Sequence, residues 1–76
     1  MTVQEIARRA AFDAQSIGGG MMRTVDAAHL YDEQRLALAR EALSLAGGIG
    51  QSFDPEALAV RMVPVVRELV QRGAIR

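Results

Sequence analysis

The sequence predicts an all-α protein, a small three-helix unit in which a helical hairpin is crossed by an N-terminal helix. Three observations lead there. Apolar residues recur at helical spacing in three separate stretches. Two glycine clusters, Gly18-Gly19-Gly20 and Gly47-Gly48, divide those stretches. Recognisable cap signals open the first and the last of them. A chain of 76 residues holds one domain, residues 1–76.

The first stretch opens on Thr2-Val3-Gln4-Glu5. That is a capping box, in which the Thr2 hydroxyl meets the Glu5 amide and Glu5 reaches back. Val3, Ile6, Ala10, Ala14 and Ile17 then form one stripe. Phe12 falls on the opposite side, among Glu5, Arg8, Arg9 and Ser16. Such a phenylalanine either meets another surface or marks a break in the helix near Ala11. The glycines from Gly18 onward end the helix, since each costs about 1 kcal/mol relative to alanine inside one.

The second helix is expected to start at Asp26, with Thr24 as the competing N-cap, and to run through Ala46 to a stop at Gly47. It would span about 30 Å. Leu36, Ala39, Leu43 and Ala46 lie along one line, with Tyr31, Leu38, Ala42 and Leu45 beside it. A stripe this wide contacts more than one neighbour.

The third helix has the clearest start: Asp54 as cap, Pro55 at the first helical position and Glu56 complementing the dipole. Leu58, Met62, Val65, Val66 and Leu69 build its stripe, and Gly73 ends it. Pro64 interrupts the ladder and leaves the Val60 carbonyl without its donor. Arg61, Glu68 and Gln71 surround Pro64 on the helical wheel, so that carbonyl can face water. One kinked helix, rather than two helices, is the expectation. The short connection from Gly47 to Phe53 predicts that helices two and three pair as antiparallel neighbours. Leu36, Leu43, Met62, Val66 and Leu69 are the expected shared core.

Composition bounds the function. Half the residues are apolar. A chain this short buries only roughly 60% of its unfolded surface. Excess apolar content then points to self-association or a permanent partner. The absence of cysteine excludes disulfides and thiolate metal sites. Net charge is zero, so there is no electrostatic footprint for nucleic acid or acidic membrane. All the basic residues are arginine, as the codon usage of a GC-rich genome produces. No apolar run approaches the roughly 20 residues of a membrane span, and the first residues do not read as a secretion signal. A cytoplasmic protein of the small bacterial or phage kind is expected.

One motif competes with a pure packing role. Ala7 occupies a small-residue position, Ala11 a turn, Phe12 a buried hydrophobe and Ile17 the next core position. The run Glu5 to Ile17 thereby resembles the helix-turn-helix of bacterial repressors. That resemblance implies a DNA-binding regulator using residues 2–20. Three features oppose it. The recognition helix it would create, from Asp13 to Gly20, has no arginine or lysine for the commonest guanine contact. It begins with an anion where phosphates would approach. It ends in glycines where a core residue should hold it rigid.

Other constellations carry less. Asp26, His29 and Glu33 share a helical face at spacings of three and four. They could surround one metal ion if a second chain supplied a matching copy; as residues of a helix's first turns they read as solvated groups and dipole complements. Ser16, Ser44 and Ser52 have no base at a recognisable spacing. Gly18-Gly19-Gly20-Met21-Met22-Arg23 lacks the lysine and hydroxyl of a nucleotide loop and reads as a hinge. The arginines leave room for a small anionic ligand at a subunit interface. No enzyme activity, cofactor or metal is expected. The expected role is protein–protein contact by a homo-oligomer acting as an assembly subunit, adaptor or inhibitor. Phe12, Met21, Met22 and Tyr31 are its candidate partner surface, with no membrane or nucleic-acid partner. DNA binding through residues 2–20 is the alternative.

Overall fold

The structure, a computed structural model, describes residues 2–18 and 32–75. They form three helices: α1 (Val3–Gly18), α2 (Glu33–Leu45) and α3 (Pro55–Gln71). The protein is all-α. Its radius of gyration of 11.4 Å is what chain-length scaling gives for a compact domain of this size.

Each helix starts where a side chain satisfies its first amides. The Thr2 hydroxyl accepts from the Glu5 amide and donates to Glu5 Oε1, both at 3.2 Å. Asp54 has an extended backbone and accepts from the Glu56 amide at 3.1 Å, with Pro55 at the first helical position. Both starts agree with the sequence pattern. The start of α2 does not. Asp32 takes an extended conformation and accepts from the Arg35 amide at 2.7 Å, so this helix begins at Glu33. The expected caps Asp26 and Thr24 lie outside the described residues. A carboxylate that can bond the backbone competes with helix continuation, and at Asp32 it prevails over the helical apolar pattern.

Two helices end in Schellman motifs. After α2 the Gly48 amide donates to Leu43 O and the Gly47 amide to Ser44 O. After α3 the Ala74 amide donates to Leu69 O and the Gly73 amide to Val70 O. The hinge residue of each is left-handed, with φ of 106° at Gly47 and 74° at Gly73, a region that costs other residues a Cβ clash. α3 runs through Pro64 as a single helix. Pro64 and Val60 are both exposed, so water can serve the Val60 carbonyl that Pro64 deprives of a donor.

The helices do not meet as a hairpin crossed by a third. Helix α1 packs extensively on both α3 and α2, whereas α2 and α3 scarcely touch. The reason lies in the side chains of α1. Ala7, Ala10, Ala11, Asp13, Ala14, Ile17 and Gly18 are buried, covering nearly half the helix circumference. Small residues over so wide an arc let two helices approach one backbone closely. The main core joins the α1 alanines to Ala42 and Leu43 of α2 and to Leu58, Ala59, Met62 and Val66 of α3. Ile17 and Ala39 form a second, smaller cluster, with Leu36 against it. Of the expected core, Leu43, Met62 and Val66 are buried; Leu36 and Leu69 are half-buried.

α1 is also unbroken across Ala11 and Phe12. The turn that a helix-turn-helix requires at Ala11 is therefore replaced by regular helix, and Phe12 points away from the core at 39% exposure. Alanine is the strongest helix former and stands on both sides of the proposed turn, which explains the continuity. Among the described residues no helix is long and apolar enough to cross a membrane.

Candidate functional site

Because α2 and α3 both rest on α1 and not on each other, a cleft opens between them. Its inner half has a volume of about 360 Å³. Ile6, Arg9, Ala10 and Asp13 of α1 form its floor, and Leu38 and Val70 stand on the two walls. The outer half is about 480 Å³ and lies between the exposed side of α2 and the C-terminal end of α3. Gln34, Leu38 and Ile75 line both halves, so the two are continuous.

One ion pair shapes the inner half. Arg35 donates from Nε to Asp13 Oδ2 at 2.7 Å and from a terminal nitrogen to Asp13 Oδ1 at 2.8 Å. This fork-to-carboxylate geometry is the strongest form of the bond. The Asp13 side chain is 8% exposed and that of Arg35 37%. Asp13 is the one buried charged residue described, and no buried side-chain polar atom lacks a partner among the described residues. The pair locks the start of α2 to the middle of α1. It also neutralises the floor of the cleft, since Arg9 and Asp32, which line it as well, carry opposite charges.

In the sequence Asp13 appears only as the anion that would open a recognition helix, an argument against DNA binding. Its burial was missed because its partner lies 22 residues along the chain. The available signal was its place on the wheel, beside Ile6 and Ile17 and away from Phe12.

The structure places one of the four expected partner-surface residues. The Phe12 ring lies under the Arg8 guanidinium, 5.7 Å from its centroid, a cation–π contact. Arg8 also bonds Glu56 of α3 at 2.9 Å. Met21, Met22 and Tyr31 lie outside the described residues, as do Asp26 and His29 of the metal candidate. Glu33, its third member, opens α2 on the outer wall of the cleft. Among the described residues no group of three metal-ligating side chains comes together. Large apolar side chains are exposed elsewhere: Ile49 at 75%, Val60 at 73% and Val70 at the lip of the cleft.

The fold and cleft define a small three-helix protein with a preformed groove. No protein-family model, curated protein or solved structure matches the chain.

Proposed function

We propose that this protein acts by contact with other protein chains, as a homo-oligomer that serves as an assembly subunit, adaptor or inhibitor. The observation that carries the reading is the open cleft between α2 and α3. It exposes Leu38, Leu69, Val70 and Ile75 in a concave surface where a self-sufficient bundle would bring two helices together. Clefts of this kind accept an amphipathic helix through its apolar face. Val60 and Ile49 add apolar surface outside the cleft. The Asp13–Arg35 pair supports the reading in a second way. It satisfies the only described buried charge within the chain, so docking over the floor would not leave that carboxylate buried and unpaired.

Light scattering over a series of protein concentrations tests it. The expected result is a mass above that of one chain that rises with concentration. A constant single-chain mass, with no cross-linked species at the highest concentration, overturns the oligomer. A parallel titration against duplex DNA tests the alternative. Tight binding that weakens steeply with salt would replace this reading by DNA binding.

A further inference from the structure

We propose that the cleft is filled by the outward face of α3 from a second copy of this chain, so that copies join head to tail. The inference rests on the oligomer reading above and names the two surfaces involved.

The argument is one of charge and shape. In the outer half of the cleft the ionisable side chains are Glu33 and Glu41, both on α2 and both exposed. They stand about two turns apart with Ala37 between them. The opposite wall is apolar, formed by Leu69, Ala74 and Ile75. The outer cleft is therefore an apolar trough with two carboxylates along one rim. Neither carboxylate has an ion-pair partner among the described residues.

The protein carries a complementary ridge. On α3, Arg61 and Arg67 are six residues apart and flank, on the helical wheel, a narrow ridge formed by Val60 and Pro64. All four are exposed, Val60 at 73%. The arginines have no ion-pair partner among the described residues either. Leu69, which lines the trough, lies on the opposite side of the same helix. One copy can thus offer its ridge to one neighbour and its trough to another. Such a heterologous contact produces a ring where the rotation closes and an open filament where it does not. The trough is small beside a standard interface of roughly 1,600 Å², so association is weak and its charges set register and partner choice.

Sedimentation velocity from about 10 µM to about 1 mM, the range weak contacts occupy, provides the test. Variants that keep the helical circular-dichroism signal of the parent are compared. Glu33→Arg with Glu41→Arg puts cations on both surfaces, and Arg61→Glu with Arg67→Glu puts anions on both. Each pair of changes is expected to weaken self-association about tenfold or more, since like charges then face each other. The chain carrying all four changes restores opposite charges and is expected to self-associate again, with the same loss at high salt as the parent. A control, Arg40→Glu with Arg72→Glu, matches the net-charge change of the arginine reversals at residues that line neither half of the cleft, breaks only the exposed Arg72–Glu68 pair, and is expected to leave association within about twofold. A chain that is monomeric throughout overturns this contact and the oligomer reading together. Self-association that ignores the reversals, fails to return in the fourfold variant, or falls equally in the control overturns only the contact.

Discussion

Removing Arg35 should destabilise the protein more than neutralising Asp13, and neutralising Asp13 should then recover part of the loss. Asp13 sits in the core side of α1 with its side chain 8% exposed, whereas Arg35 is 37% exposed. Arg35→Met leaves a carboxylate buried without its counter-charge. Breaking a fully buried pair this way costs roughly 3–5 kcal/mol. Water reaches the Arg35 side of this pair, so about 2–3 kcal/mol is the working figure after that discount. Asp13→Asn removes the negative charge but keeps an amide oxygen that can accept from the guanidinium, which is 37% exposed and can hydrate, and the loss is about 1 kcal/mol. In the double variant the buried group is a neutral amide, which tolerates a missing partner better than an anion does. The double variant should therefore be about 1 kcal/mol more stable than Arg35→Met alone, although it carries one more change. Urea unfolding at one fixed protein concentration measures all four chains, and the fixed concentration keeps any oligomer contribution constant. In thermal terms each 1 kcal/mol is about 4–8 °C for a domain of this size. Equal losses for the two single variants, or a double variant whose loss is the sum of both, would refute the reasoning.

Further outcomes follow from the same geometry. A Cβ at Gly18 would strike the Leu43 Cδ1 atom. For Gly18→Ala the Leu43 rotamer change, about 0.5–1.5 kcal/mol, nearly cancels a helix-propensity gain of about 0.5–1 kcal/mol, so its unfolding midpoint should stay near the parent's. Gly18→Val has no such offset and should cost about 2–3 kcal/mol by the same assay. Pro64 is exposed within α3. Pro64→Ala restores the donor to the Val60 carbonyl and should raise stability by about 1–2 kcal/mol, the helix gain of up to about 3 kcal/mol being reduced by a more flexible unfolded chain. A lower melting temperature would show that proline's ring packs against something that matters more. Asp54→Ala removes the α3 cap and should cost about 1 kcal/mol, with amide exchange fastest in the first turn after Pro55.

The parts legible in the sequence are those decided within a few residues. Thr2, Asp54 and Pro55 announce helix starts because capping is a contact between near neighbours. Gly47 and Gly73 announce helix ends because only glycine enters the left-handed hinge without a Cβ clash. Leu43, Met62 and Val66 were recognisable as core because bulky apolar side chains carry the largest transfer term. What was illegible depended on distant partners. The Asp32 start was masked by an apolar pattern that runs on through the preceding residues. The burial of Asp13 could not be read because its guanidinium partner comes from another helix. The outward position of Phe12 was readable from the wheel, but its contact with Arg8 required the helix to stay unbroken.

By itself the sequence determined an all-α chain, the stops after α2 and α3, and an interior built on helical stripes. Those features rest on local hydrogen bonding and on a periodicity that any one helix carries alone. Only the tertiary structure decided which helix is central. Alanine contributes little apolar area, so nothing in the stripe of α1 marks it, and not α2 or α3, as the central helix. What alanine and Gly18 supply is close approach, and that quantity exists only when a second backbone arrives. Two helices therefore settle on α1, and the cleft between them is the consequence.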